Sequence, residues 1–370
     1  MELAKVLRKA QKEEALCKEE MLFLLKQTKE ESVQQIFQTA RNIRDNHFGN
    51  HIFAYGFVYF STYCKNNCTF CYFRKKNYQP PRYRKTKAEI VETAVQLKES
   101  GVHLIDLTMG EDPYFEERPQ ELVDIVSFVK QATGLPIMIS PGVISNHMLD
   151  RLQDAGADWY ALYQETHNRE LYGRMRLQQD YDVRMQAKEY AKKQGMLIEE
   201  GLLAGIGDTK EDAITSFEEM KRLGASQVRT MTFVPQEGTP MENRQQNSFL
   251  SELLHIAVMR ILFPDKLIPA SLDVDGLAGL KDRLQAGANV ITSIIPPQEG
   301  FLGVANAETD IDQGYRTIQG VQETMKECGL RLASVEEYKQ WVASEKKRGE
   351  ANERCSSWRK AAGCGSYIPC

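Results

Sequence analysis

From residue 52 onward, short apolar runs alternate with charged stretches of helical periodicity. The runs are Phe53–Phe60, Val102–Met109, Leu135–Ser140, Ala157–Tyr163, Met196–Ala204, Ser226–Phe233, Leu267–Leu272 and Asn289–Ile295. Such short, nearly continuous apolar runs predict buried parallel strands, and the stretches between them predict amphipathic helices. Gly101, Gly134, Gly156, Gly195, Gly224 and Gly287 each stand just before a run, where a left-handed residue closes a helix and leads into a strand. Eight strand–helix units over about 245 residues predict an α/β fold, a (β/α)8 TIM barrel. A doubly wound open sheet is the alternative, but it rarely reaches this many regular units.

The flanks differ from this rhythm. Residues 1–50 repeat apolar positions at helical spacing (Val6, Leu7, Ala10; Met21, Leu22, Leu25; Val33, Ile36, Phe37, Ala40) and read as two helices covering one end of the barrel. The barrel spans residues 51–296. Residues 297–370 form a C-terminal helical extension, with helices near 313–328 and 335–347 and a polar tail. The tail carries Cys355, Cys364 and Cys370, which could hold a second metal, although irregular spacing in a polar end segment is more often inert.

Composition narrows the function classes. With 370 residues and 42% hydrophobic content, the chain can bury one large core. It has no run of about 18 apolar residues, so no helix is expected to span a membrane. Net charge is −4, and basic tracts are short, as at Arg74–Lys76 and Arg82–Lys87, which argues against nucleic acid as partner. Met1-Glu2-Leu3-Ala4-Lys5 leads into a charged helix pattern rather than an apolar signal region. A cytoplasmic location with reduced thiols follows, and there cysteine clusters bind metals or act in redox chemistry.

One such cluster exists. Cys64, Cys68 and Cys71 have C-x3-C-x2-C spacing in a loop just after the first predicted strand. Three soft thiolates suit an iron–sulfur cluster or part of a zinc site. Zinc needs a fourth ligand from afar, since no Cys or His lies between Cys71 and His103. A cubane held by three cysteines leaves one iron free to bind something reactive.

In a (β/α)8 barrel chemistry sits at the C-terminal ends of the strands. Charged residues occur there inside apolar runs: Asp106 in the second, Arg229 in the sixth and Asp273 at the end of the seventh, after Ser271. Buried charges need partners, so Arg229 either pairs internally with Asp106 and Asp273 or faces a ligand anion. In the second case one guanidinium and two carboxylates match a carboxylate and two ammonium groups, the charges of a diamino acid. Arg229 would take the carboxylate in a bidentate fork, Asp106 and Asp273 the ammonium groups, and Ser271 would add a hydrogen bond. Gly205-Ile206-Gly207-Asp208-Thr209 starts like a dinucleotide fingerprint but has Lys210 where the third glycine belongs.

The cysteine loop, with Phe70 before its third cysteine, resembles the radical S-adenosylmethionine (SAM) superfamily. The combination FSTYCKNNCTFCYF, VHLIDLTMGEDPY, LPIMISPG, ALYQETH, VRTMTFVPQEGTP, FPDKLIPASLD and GANVITSIIPP resembles the methylornithine synthases within its biotin-synthase-like branch. The resemblance runs over roughly residues 45 to 305. It implies an isomerase that converts L-lysine to (3R)-3-methyl-D-ornithine through a 5′-deoxyadenosyl radical, the first step of pyrrolysine biosynthesis. It implies one 4Fe-4S cluster on Cys64, Cys68 and Cys71, with SAM contacts at Phe70, Gly110, Glu111, Ser140, Glu165 and Arg184. The Gly205–Thr209 turn resembles one whose backbone approaches the cofactor. Asp106, Arg229, Ser271 and Asp273 match the positions that hold the lysine-derived ligand, and reduced flavodoxin or ferredoxin is the implied electron donor. Biotin synthase needs further cluster ligands within its barrel, and this chain has no cysteine between Cys71 and Cys328. A hydrogenase-maturation enzyme of the same branch is the alternative.

Overall fold

The computed structural model describes residues 1–296 and 315–362. Three helices, α1 (Leu3–Gln11), α2 (Lys18–Leu25) and α3 (Glu30–Phe48), precede the first strand, β1 (His51–Ser61). The chain continues through α4 (Lys87–Ser100), β2 (Leu104–Met109), α5 (Pro113–Glu117), α6 (Pro119–Thr133), β3 (Ile137–Ser140), α7 (Asn146–Asp154) and β4 (Trp159–Ala161). Next come α8 (Arg169–Met175), α9 (Tyr181–Lys193), β5 (Leu197–Ala204), α10 (Lys210–Leu223), β6 (Gln227–Thr232) and α11 (Phe249–Leu262). The remaining described elements are β7 (Pro269–Ser271), α12 (Leu280–Gln285), β8 (Val290–Ile294), α13 (Ile318–Glu327), β9 (Arg331–Leu332) and α14 (Val335–Ala362).

All eight expected strands form, in the order β6-β5-β4-β3-β2-β1-β8-β7, and every pairing is parallel. The six helix-closing glycines all have positive φ, as expected for residues that end a helix in the left-handed region. Between β6 and β7 the barrel is joined at its N-terminal rim, by the Gln227–Leu267 bridge and its backbone bonds of 3.0 and 3.1 Å. Beyond that bridge the two strands share no ladder among the described residues. β7 is only three residues long and begins with Pro269, which has no N–H to donate. The result is a nearly closed TIM-type barrel, parted toward the end where the strand C-termini lie.

The flanking helices depart from expectation. Residues 1–50 form three helices rather than two, because the chain turns at Glu13 (φ 56°) and restarts at Cys17, the N-cap of α2. They line the barrel's flank rather than an end: α2 packs on α10 and α11, and α3 on α11 and α12. Arg44 donates to the carbonyls of Leu284 and Ala288, tying α3 to the short α12. With only six residues, α12 leaves room in the outer layer that α3 occupies.

The N-terminal end of the barrel is closed instead by α14. Trp341 stacks on Trp159 (centroids 6.0 Å, 8° between planes), and the Tyr338 hydroxyl donates to Tyr55 at 2.8 Å. These rings join Phe53, Leu104, Met138, Leu197 and Val290 in an apolar plug inside the strand N-termini. With that end sealed, any ligand reaches the interior from the opposite mouth. Cys355 lies on α14 but its side chain is outside the described residues, as are Cys364 and Cys370 altogether. No helix among the described residues is long and apolar enough to cross a membrane.

Candidate active site

A cavity opens at the C-terminal ends of the strands, bordered by residues from nearly every strand. Cys64, Cys68, Phe70, Cys71, Asp106, Gly110, Glu111, Ser140, Glu165, Arg184, Arg229 and Asp273 all face it, so of the candidate site residues only Ser271 stands back. The Ser271 hydroxyl accepts the backbone N–H of Asp273 at 3.3 Å and so steers that residue.

The cysteine loop leaves β1 and is fastened at both ends. Lys65 N–H donates to Glu111 O at 2.9 Å, Lys75 N–H to Asn66 O at 2.7 Å, and Thr69 N–H to Met175 O at 2.9 Å. Burial pushes the Cys64 thiol up to about 11 and the Cys71 thiol further still, with the neighbouring thiols adding to the effect. Buried thiols held neutral in this way gain most from a metal that takes them as thiolates. Among the described residues no group of three His, Cys, Asp or Glu side chains converges as a single metal ion requires. Three thiols bordering one cavity are a donor set that suits an iron–sulfur cluster.

Next to the loop the backbone is closely packed. A side chain at Gly110 would collide with the Tyr63 carbonyl, and one at Gly142 (φ 80°) with the Glu111 side chain. Glu111 thus lies against bare backbone, its Oε1 accepting from Val143 N–H at 3.3 Å and facing Arg184 at 3.5 Å. Arg184 is buried, unlike most helix arginines, and also donates to Tyr163 O at 2.9 Å. Glu165 has φ 66°, a left-handed conformation that costs a non-glycine residue about 1–3 kcal/mol and recurs at functional sites. It is held there by backbone bonds to Gly201 and Leu203, and its carboxylate pairs with Arg176 at 2.6 Å. The Gly205–Thr209 turn does not border the cavity. Asp208 caps its own backbone at Gly205 and Ile206, and Gly205 O accepts from Arg244.

Deeper in the barrel lie the charges. Arg229 pairs with neither aspartate. Its Nε donates to Glu199 Oε1 at 2.7 Å, and Glu199 also accepts from the Tyr163 hydroxyl (2.8 Å) and Gln227 (2.6 Å). Glu199 is fully buried on β5, inside the run Leu197-Ile198-Glu199-Glu200-Gly201. Asp273 in turn meets Arg316 at 3.3 Å, and Asp106 accepts from the Thr108 hydroxyl at 2.8 Å. Sequence reasoning missed Glu199, Arg316, Arg176 and Tyr163, although charges inside the apolar β5 run were a readable signal. With Glu199 and Arg316 counted, the group holds three carboxylates and two guanidiniums, of which Arg229 pairs with Glu199 and Arg316 with Asp273. Burial, then the nearby Glu199 and Asp273 carboxylates, raise Asp106 to about 7 against the pull of Thr108 and Arg229.

Residues 58–220 match the Radical SAM superfamily. The chain is 46% identical to the 3-methylornithine synthase of Methanosarcina acetivorans over 87% of its length and 92% of that protein's. It is 31% identical to the FeFe-hydrogenase maturase subunit HydE of Thermotoga maritima over 70% of this chain and 74% of that one. Its fold is similar to the crystal structure of methylornithine synthase (PylB), with a TM-score of 0.87 at 43% identity, covering 91% of this chain and 99% of that one.

Proposed function

This chain belongs to the 3-methylornithine synthases of the radical SAM superfamily, and on that premise we propose that it isomerises L-lysine to (3R)-3-methyl-D-ornithine, the first step of pyrrolysine biosynthesis. One observation supports this reading most: Asp106, Arg229 and Asp273 border the same cavity as the three cysteines. A diamino acid held by those charges therefore lies beside the radical source.

Cys64, Cys68 and Cys71 are the ligands we assign to a single 4Fe-4S cluster. Phe70, Gly110, Glu111, Ser140, Glu165 and Arg184 surround the space left for SAM. When bound, the cluster and SAM would supply radical hydrogen abstraction, with reduced flavodoxin or ferredoxin in the cytoplasm as the one-electron donor.

The chain's own part is to bind, orient and exclude water. Glu199 occupies Nε of Arg229 and so directs the Nη atoms toward the cavity, where they suit the substrate carboxylate. Asp106 and Asp273 take the two ammonium groups. Arg316 fixes the Asp273 carboxylate from behind, and Ser271 fixes its backbone. Holding the substrate at several points keeps both halves of a breaking carbon skeleton within reach of each other, and that proximity favours rejoining over escape. The α14 plug denies water a second entrance.

The test is anaerobic. The reconstituted protein is reduced, given SAM and L-lysine, and its products are separated by chromatography with mass detection. The expected product is an isomer of lysine. Norleucine, which lacks the ε-ammonium, and cadaverine, which lacks the carboxylate, are expected to give none. SAM cleavage with lysine unchanged would overturn the substrate assignment.

A further inference from the structure

Among the three cysteines, Cys68 is singled out by its surroundings. Gln179 Nε2 donates to its sulfur at 3.0 Å, and Arg176 Nη1 approaches it at 3.6 Å. Cys64 receives backbone donors from Asn66 and Glu111, Cys71 one from Phe73, and neither a side-chain donor among the described residues.

The arrangement is built rather than incidental. Arg176 is buried, and its other terminal nitrogen is anchored by Glu165 Oε1 at 2.6 Å and Tyr163 O at 3.0 Å. Its guanidinium lies 5.5 Å from the centre of the Phe70 ring. Arg176 also donates to Gln179 Oε1 at 3.3 Å, which leaves the amide nitrogen of Gln179 to face the sulfur. Between them Gln178 takes a left-handed turn (φ 62°) that brings both side chains to one side. The segment is pinned by α8 before it and by Asp180, the N-cap of α9, after it.

We propose that Arg176 and Gln179 set the reduction potential of the cluster on the cysteine loop, acting through the Cys68 sulfur. The inference rests on the cluster assignment above. Reduction adds one electron, and with it negative charge, to a cluster whose thiolates already carry charge. A buried cation and an N–H donor at one sulfur stabilise the reduced form more than the oxidised form. The potential rises, and a donor of given strength fills the cluster more completely. Both are positioning residues that touch a ligand of the cofactor. The same guanidinium grips Glu165, so the cluster ligand and the SAM-facing carboxylate share one support.

The experiment is a potentiometric titration of the reconstituted full-length enzyme without SAM, followed by electron paramagnetic resonance. Arg176→Met and Gln179→Leu are each expected to lower the midpoint at unchanged iron content. For Arg176→Met the expected drop in the reduced-to-oxidised ratio at a fixed donor potential is about tenfold, or about 59 mV for one electron. Arg176→Lys, which keeps the charge, should lose less. If Arg176→Met fails to hold iron, Gln179→Leu carries the test, since it removes a donor without leaving a buried carboxylate unpaired. Parental potentials in iron-replete variants would overturn the proposal. Failure of the cluster assignment looks different: the parent protein itself would take up no redox-active iron.

Discussion

Asp106→Asn should make the protein more stable while destroying its use of lysine. The side chain is buried, and its pKa is raised from an ordinary 3.8 to about 7. In the unfolded chain Asp106 loses its proton near pH 4; in the folded protein it keeps it until near pH 7. Between those values the unfolded state binds fewer protons, so this residue's contribution to stability falls as pH rises. Each pH unit in that window is worth about 1.4 kcal/mol, and the full penalty is about 4 kcal/mol above pH 7. Asparagine has nothing to ionise and keeps the oxygen that accepts from Thr108. The variant's advantage should therefore vanish near pH 4 and grow through pH 5 and 6 to about 2–4 kcal/mol at pH 8, the lower figure allowing for relaxation around the charge. Pulse proteolysis in graded urea, on anaerobic holoprotein without substrate, reads this difference at each pH. Lysine added to the parent should restore stability by mass action, and the same addition to the variant should do nothing. A variant no more stable than the parent at pH 8, or an advantage independent of pH, would refute the reasoning.

Other expectations follow from the same contacts. Glu199→Gln leaves Arg229 without its buried partner, which should cost about 3 kcal/mol of stability. It should also move the Asp106-linked limb of the lysine kcat/KM profile to lower pH, because Glu199 is the largest charge raising Asp106. Asp273→Asn should raise the KM for lysine while iron content and uncoupled SAM cleavage stay at parental levels, measured by iron assay and 5′-deoxyadenosine yield. Trp341→Ala empties the plug at the far end of the barrel and should cost about 3–5 kcal/mol in denaturation, with the KM for lysine unchanged.

Much of this architecture is legible in the chain because a parallel barrel has few ways to be written. Each barrel strand is largely buried, so it shows as a nearly continuous apolar run, and six of the helices turn back toward the next strand through a left-handed glycine. Asp106 and Arg229 stand out against such runs, and the cysteine loop is local in sequence. What escapes the eye is pairing across the barrel. Arg229 meets Glu199 rather than Asp106 or Asp273, and this follows from the β5–β6 register that sets Gly201 beside Arg229, a fact of sheet geometry with no mark in either segment alone. Arg316 is distant in sequence from the Asp273 it meets. Arg176 and Gln179 follow a short helix, α8, inserted after β4, where loop composition resembles that of any exposed turn. The N-terminal helices were readable as helices, but their place beside α11 depends on how short α12 is.

The most direct measurement of the central claim, that the charged residues hold lysine against the radical source, uses L-lysine deuterated along its carbon chain. Incubated anaerobically with reduced holoenzyme and SAM, it should yield 5′-deoxyadenosine or recovered SAM carrying deuterium, together with a lysine isomer. Asp106→Asn and Asp273→Asn should suppress both signals. Unlabelled 5′-deoxyadenosine formed beside intact deuterated lysine would contradict the account.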